Sequence, residues 1–407
     1  MPSTLPALAD PRRQRWAWWP LLPLYPYGRR PTLFRELVPG RVWCFEQLHG
    51  VWYVAVPIRM TVLKVEGGLL LYAPIPATEE VISGLRALER EHGPVLSIVL
   101  ATSSGLEHKL PAPALSRAFP AATLWVSEHQ WSFPLPLPSS WLGFDRRRTR
   151  ALGGGEAPHR EQLEWIPLGP LDLGLGTYHE VACFDRASGC LLVTDALVGI
   201  RSSPPRVFDL DPRPLLFHAR EHGYEPMEDS AERRLKGWKR IVMFANFLRP
   251  QEVAVPPLPA VIRNAVASKN RSPDNHFGLY PFQWSFDWEA AADRFLAHGA
   301  EAPPFRLAPI LERLVFVRSQ TVFLDWLTTL SRCEGLLALV SCHYDAPIPI
   351  VSSEFDSYRQ TIESEPWAPS TASWQQLASI DKTLLNLGLV PAGDPSQMNH
   401  GRVRSDR

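Results

Sequence analysis

Residues 97–109 read S-I-V-L-A-T-S-S-G-L-E-H-K, and no other stretch constrains the fold of this chain as much. The run 97–101 is short, apolar and rich in β-branched residues, which predicts a buried strand. Gly93-Pro94 bounds it before and Thr102-Ser103-Ser104-Gly105 after, so the strand must release into a polar loop. That loop closes on an acid beside an imidazole, Glu107-His108. Pro111 follows, and 112–119 reads as a helical turn or two that stops at Pro120. A strand ending in small polar residues and an acid–imidazole pair, then a helix, can hold a metal ion or a reacting group.

The chain has 407 residues, enough for one elaborated domain or two around a sizeable core. Its 42 basic and 42 acidic side chains cancel, so no long-range field draws it to nucleic acid or to an anionic membrane. The expected partner is an unknown small molecule or protein, with no nucleic acid and no membrane span. Cys44, Cys183, Cys190, Cys333 and Cys342 are odd in number and lack C-x-x-C spacing, which fits reduced, buried thiols. No run reaches the roughly 18 to 20 apolar residues of a membrane span. The apolar run 16–27 is broken by Pro20, Pro23 and Pro26, and Arg29-Arg30 follows it instead of preceding it. It therefore does not read as a secretory or twin-arginine signal, and the expected compartment is cytoplasmic.

Along the chain, 1–35 reads as an extended arm rich in Pro and Trp. Short strands are expected at 42–45, 52–56, 60–65 and 69–72, the last two joined by a hairpin at Gly67-Gly68. A helix over 78–92 has Thr78 as its cap, Glu79 and Glu80 at its positive end and Gly93 as its stop. Val81, Ile82, Leu85 and Leu88 share one face of it, so it covers a sheet. A strand at 123–126 precedes a loop, 127–160, containing Pro134, Pro136, Pro138, Arg146-Arg147-Arg148 and Gly153-Gly154-Gly155. The arginines read as a solvated surface. A second hairpin series begins near Leu163, with strands 178–185 and 190–195 joined by Ala187-Ser188-Gly189, the second ending on Asp195.

Residues 200–335 read as helices and loops. Ala290, Ala291, Phe295 and Leu296 form one apolar stripe and Leu311, Leu314 and Val315 another, followed by a helix at 321–330; these read as core packing or a lid. An apolar strand, 336–341, then ends in Cys342-His343-Tyr344-Asp345. One helix is expected at 373–387, and 393–407 has the composition of a disordered tail.

Three distant strand ends thus carry Glu107-His108, Asp195 and His343. In this order of elements the chain resembles the metallo-β-lactamase superfamily. That resemblance implies an α/β (α+β) fold, a four-layer αββα sandwich, here with a largely helical insertion. In the superfamily a buried strand precedes the motif T-H-x-H-x-D-H, and that slot here holds 102–108. The next ligand His precedes a hairpin ending in G-D-x-L; here Tyr178-His179-Glu180 precedes a hairpin ending in Thr194-Asp195-Ala196-Leu197. The last ligand His ends a late strand, where His343 stands. The resemblance covers 40–200 and 336–350. It is closest to an uncharacterised branch, a domain-of-unknown-function family found mainly in photosynthetic organisms, through His-Tyr-Asp-Ala-Pro at 343–347 and Val-Thr-Asp-Ala-Leu at 193–197. The implied division is an arm at 1–35, a core at 36–199 and 336–350, a helical insertion at 200–335, a C-terminal helix region at 351–392 and the tail at 393–407.

The departures from the motif define the expected chemistry. The two leading His positions hold Ser103 and Gly105, so only His179 survives of the first metal's ligands. The second metal's ligands map onto Glu107, His108, Asp195 and His343, with Glu replacing Asp. That set suits one zinc, or iron or manganese, and the alternative is a site that holds no metal. Two functions follow. In one, the protein has lost the dinuclear site and serves as a binding or scaffold protein. In the other, it is a mononuclear metal-dependent hydrolase of an ester, thioester, lactone or phosphoester, with Asp195 and His179 as candidate catalytic residues.

Overall fold

A computed structural model describes residues 12–16, 24–130, 137–153, 155–174, 176–269, 271–297, 303–364 and 374–391. Residues 1–11 and 17–23 of the expected arm, Pro134, Pro136, Gly154 and the tail 393–407 lie outside these.

Alternation along the strands decides the architecture. Strands β1 (Leu24–Tyr25), β2 (Leu33–Val38), β3 (Val42–Val51), β4 (Val54–Val65), β5 (Gly68–Tyr72), β6 (Val95–Leu100), β7 (Thr123–Ser127) and β8 (Thr149–Leu152) form an eight-stranded sheet. Strands β9 (Leu163–Asp172), β10 (Thr177–Asp185) and β11 (Cys190–Val193) join β14 (Ala338–Ser341) and β15 (Ile348–Pro349) in a five-stranded sheet, and β12 (Val253–Ala254) and β13 (Gln283–Trp284) make a small ribbon. On β5 and β6, Leu70, Tyr72 and Val99 face one cluster, while Leu69, Leu71, Ile98 and Leu100 face another. The first cluster also contains Val181, Cys183, Leu192 and Val340 of the second sheet, so the two sheets pack face to face there. Tyr72 Oη crosses that interface to Val181 O at 3.0 Å.

Helix α1 (Glu79–His92) buries Val81, Leu85 and Leu88 on the outer face of the first sheet. Thr78 Oγ1 caps it by accepting from Val81 N at 3.3 Å. On the outer face of the second sheet, Phe184, Leu191 and Leu339 meet Phe323, Trp326 and Leu330 of a later helix. The layers therefore run helix, sheet, sheet, helix. All five cysteines are buried and free.

Short helices α2 (Leu106–Lys109) and α3 (Ala112–Ala118) follow β6. Helices α4 (Arg213–His218), α5 (Ala231–Phe247), α6 (Leu258–Ala267), α7 (Trp288–Leu296), α8 (Pro309–Leu314) and α9 (Gln320–Leu330) occupy the stretch between β11 and β14, and α10 (Ser353–Ser364) and α11 (Trp374–Asn386) follow β15. That stretch divides between two cores. α4, α5 and α7 bury Leu215, Trp238 and Phe295 in an aromatic cluster with Tyr25, Tyr27 and Tyr53, whereas α9 belongs to the outer layer of the second sheet.

Several local expectations change. The strands expected at 52–56 and 60–65 are one twelve-residue strand, β4, and Trp52 and Tyr53 form the turn before it, both in left-handed backbone. Pro57 is tolerated inside β4 because β5 pairs only with Thr61 to Val65, leaving the edge at Pro57 free of a strand partner there. Glu107 and His108 sit on a helical turn and not in a loop. In α7 the buried set is Trp288, Ala291, Ala292, Phe295 and Leu296, with Ala290 exposed. Arg146 and Arg147 are exposed as expected, while Arg148 is pinned to Ser116 O at 3.0 Å. Helix α10, with Phe355 and Ile362 buried, has no counterpart in the sequence reading.

Candidate metal centre

The end of β6 is stitched to β10 by backbone and hydroxyl. Val181 N donates to Ala101 O at 2.8 Å and Ser103 N to His179 O at 2.8 Å. Ser103 Oγ accepts from His179 N at 2.9 Å and donates to Thr177 O at 2.8 Å. Ser103 is therefore a splice between strands, and its hydroxyl is fully committed. The chain then turns into α2, beginning after Gly105, whose φ of −62° is ordinary for any residue. Lys109, buried at the end of this turn, donates from Nζ to Ser103 O at 2.7 Å and also to Gln130 O. Burial pulls its pKa down to about 8.

The turn presents Glu107 and His108 together. His108 is fully buried and sets Nδ1 2.9 Å from Pro74 O, while its Nε2 has no hydrogen-bond partner. A carbonyl can only accept, so Nδ1 carries the proton and Nε2 keeps a free lone pair. Burial lowers the pKa of this ring and keeps it neutral.

His343 arrives from the other sheet. Arg59, buried in β4, donates to Ser341 O and, at 2.6 Å, to Tyr344 O, while its Nε meets the buried Glu46 at 2.9 Å. These bonds fix the loop after β14, and His343 completes an isolated bridge to Ile58 at the free edge of β4. Its Nδ1 lies 3.0 Å from Pro57 O, so this ring also turns Nε2 inward. Nε2 is 3.0 Å from Asp195 Oδ1 and 3.4 Å from Glu107 Oε1. Burial opposes a charge on His343, but hydrogen bonds and attraction from Asp195 and Glu107 prevail and push its pKa up to about 10. Burial likewise opposes the Glu107 charge, and His343 overcomes it, holding that carboxyl well below its usual range.

Asp195 follows β11 in a loop held by Glu180. The buried Glu180 carboxylate accepts from Thr194 N at 2.6 Å, Asp195 N at 3.0 Å and Ala196 N at 2.9 Å, and from Tyr178 Oη at 2.7 Å. Asp195 Oδ2 in turn accepts from Ser104 Oγ at 2.9 Å and Thr102 Oγ1 at 3.2 Å.

The structure thus gathers one ligand atom each from Glu107, His108 and His343 within 4.8 Å of one another. Asp195 joins them through His343 and is held on its other oxygen by the two hydroxyls. His179 is buried against Glu128 and His129 and is not a member of the triplet. His49, which feels Glu107, His108 and His343, is a neighbour the sequence reading missed; burial and Arg30 lower its pKa to about 4. It sits in mid-strand on β3 opposite Val56, so a search of strand ends passes over it. Arg59 and Glu180 were equally invisible as positioning residues, although a charged residue inside an apolar strand is a signal that it needs a partner.

The donor set fits a metal ion. Each imidazole gives its Nδ1 proton to a carbonyl, which orients Nε2 as a ligand, and the lone pair of His108 Nε2 is otherwise unused. In the metal-free arrangement the His343 imidazolium supplies the positive charge between two carboxylates.

Residues 39–360 match the family described as Domain of unknown function (DUF4336). No curated protein matches the chain. Similar solved structures include the DIM-1 metallo-β-lactamase, at 8% identity over 82% of this chain and 99% of that one with a TM-score of 0.38. A flavo di-iron protein variant from Thermotoga maritima is 8% identical over 82% of this chain and 62% of that one, with a TM-score of 0.39. A metallo-β-lactamase from Pontibacter korlensis is 15% identical over 55% of this chain and 90% of that one, with a TM-score of 0.30. These are distant likenesses, and the layer order described above carries the fold without them. The chain belongs to the family described as Domain of unknown function (DUF4336), with a four-layer αββα sandwich as its fold.

Proposed function

We propose that this protein holds one divalent transition-metal ion on Glu107, His108 and His343, with Asp195 as the fourth ligand, and works as a mononuclear hydrolase. One observation carries the reading: both imidazoles commit Nδ1 to carbonyls, leaving the buried His108 Nε2 with no partner but the centre of the cluster. Two imidazoles and two carboxylates suit zinc, iron or manganese. When bound, the ion supplies Lewis acidity and a water that ionises near neutral pH.

The chain's own residues do the rest. Ser104 is exposed and hydrogen-bonded to Asp195, so Asp195 is reachable from solvent and placed to take a proton. His179 is packed against Glu128 and His129, which leaves proton acceptance to Asp195. Substrates would be esters, thioesters, lactones or phosphoesters. On this reading the sandwich of 36–199 and 336–350 carries the chemistry and 200–335 is an insertion beside it. Free, buried cysteines favour a reducing, cytoplasmic setting. No helix among the described residues is long and apolar enough to cross a membrane.

A second reading, a binding or scaffold protein without the ion, is favoured by one specific feature. A protonated His343 already pairs with both carboxylates and offsets one of their two negative charges, so the cluster holds together without a metal. Elemental analysis of untagged protein purified without added metal separates the two. The hydrolase reading expects about one equivalent of metal, lost in His343→Ala; metal-free wild-type protein that also fails to take up zinc, iron or manganese leaves the scaffold reading.

A further inference from the structure

Helix α6 presents an apolar stripe to solvent. Its buried side consists of Val261 and Ala265, while Leu258, Ile262 and Val266, spaced by four residues, fall on the adjoining flank. Leu258 is 67% exposed, Ile262 48% and Val266 64%. Val255, 56% exposed, extends the stripe at the start of α6, and Phe277 extends it from the turn packed against the helix. Surface apolar residues are ordinary when scattered, but five along one short helix and its flanks, three of them at helical spacing, form a stripe that marks an interaction surface.

The charges around the stripe identify what covers it. Residues 253–273 contain Arg263, Lys269 and Arg271 and no Asp or Glu, and all three cations are exposed. Asp274, the first acid beyond them, is already paired with Arg213 at 2.7 Å. A second copy of this chain docking stripe to stripe would bring the same cations together with no local acid to answer them. An anionic lipid surface answers both features, because it takes apolar side chains at the headgroup boundary and cations at the phosphate level.

We infer that this face of the protein is a peripheral docking surface for anionic membranes, with the axis of α6 lying in the interface plane. Leu258, Ile262 and Val266 enter the headgroup boundary, and Arg263, Lys269 and Arg271 contact the lipid phosphates. The neutral net charge of the chain does not oppose this, since attraction at a membrane is set within about a Debye length of the surface. The inference is independent of whether the metal centre is occupied or active.

Co-sedimentation of the full chain with vesicles tests it, comparing phosphatidylcholine alone with phosphatidylcholine mixed with phosphatidylserine. The expected result is pelleting with the mixed vesicles that weakens as salt rises. Arg263→Gln, Lys269→Gln and Arg271→Gln together should lower the partition coefficient on the order of a hundredfold, about fivefold per cation. Leu258→Ser, Ile262→Ser and Val266→Ser together should abolish binding while shifting the melting curve little, because each side chain has about half or more of its surface in solvent. Absence of pelleting with either vesicle overturns the inference, as does equal binding to both. A dimer in sedimentation velocity that the serine variant dissociates also overturns it and assigns the stripe to a second copy.

Discussion

Two clusters in this protein set a partly or fully buried histidine among opposite charges. At the candidate metal centre His343 lies between Asp195 and Glu107, and its pKa is pushed up to about 10. In the aromatic core of the helical stretch, burial and then Arg240 and Arg220 press His218 down to about 3. Burial and Arg220 hold its neighbour His276 near 4. His276 stacks on Trp52 with ring centroids 4.6 Å apart and planes 7° from parallel, the arrangement of a flat apolar plate. Desolvation acts on all three rings; the sign of the outcome is decided by whether the neighbouring charges are carboxylates or guanidinium groups. An imidazole in a core is thus a stronger ligand candidate where acids face it and a carbonyl holds its Nδ1 proton, turning Nε2 toward them.

Acid should break this comparison most visibly. His218 and His276 have folded pKa values below the unfolded value near 6.5, so the unfolded chain takes up their protons first. Their stabilising effect is complete above pH 6.5 and is lost as pH falls through 4 toward 3, on the order of 8 kcal/mol for the pair. His343 behaves the other way: its contribution in metal-free protein is complete below pH 6.5 and is lost as pH rises toward 10. Urea unfolding at pH 7 and pH 4 checks the first half, and His218→Leu should remove about half of the acid loss. An unchanged acid slope in that variant would mean that His218 is not held neutral by its surroundings.

Next in size is the effect of Arg59→Met. The substitution leaves Glu46 facing only Arg35 and frees Ser341 O and Tyr344 O, at a cost of about 4 kcal/mol. Because those carbonyls fix the loop of His343, the variant should also lose metal uptake. Arg59→Met combined with Glu46→Gln should recover part of the stability but not the uptake. If the single variant kept metal binding, the loop would be positioned by something other than Arg59.

Metal removal comes third. A free ion at about a hundred times its dissociation constant adds about 2.7 kcal/mol, so a chelator should lower the melting temperature of loaded protein. His343→Ala should be indifferent to the chelator, whereas variants in the aromatic core should respond as wild type does. The smallest effect is expected from Gly105→Ala. A Cβ there would lie 3.2 Å from Glu107 Oε1 and 3.3 Å from His108 Cδ2, with no backbone strain at φ −62°. Crowding should cost about 1 kcal/mol and weaken metal binding by displacing Glu107. Unaltered affinity would show that Glu107 is not a ligand.

Much of the frame was legible locally. The run 97–101, the Gly67-Gly68 hairpin and the Thr78 cap rest on contacts a few residues apart, and each is found where expected. The strands expected at 52–56 and 60–65 join across Pro57 because β5 reaches only Thr61 to Val65, so the missing N–H faces no partner strand. In α7, Ala291, Phe295 and Leu296 are buried as expected, while Ala290 is exposed and Ala292, three and four residues before Phe295 and Leu296, takes its place. His49, Arg59 and Glu180 escaped notice because their roles depend on partners far along the chain.

The sequence by itself determined the central strands and α1 and their apolar faces, because strand alternation, helix periodicity, caps and turns are local properties. It also placed Glu107, His108, Asp195 and His343 at element ends, where a backbone leaving a sheet exposes side chains to a common edge. Only the tertiary structure decided which ring nitrogen each imidazole turns inward. That choice rests on Pro74 O for His108 and Pro57 O for His343, carbonyls 34 and 286 residues away in the chain. Hydrogen bonds of such separation are set by how the two sheets and the Arg59–Glu46 pair close on one another, and no local pattern encodes that.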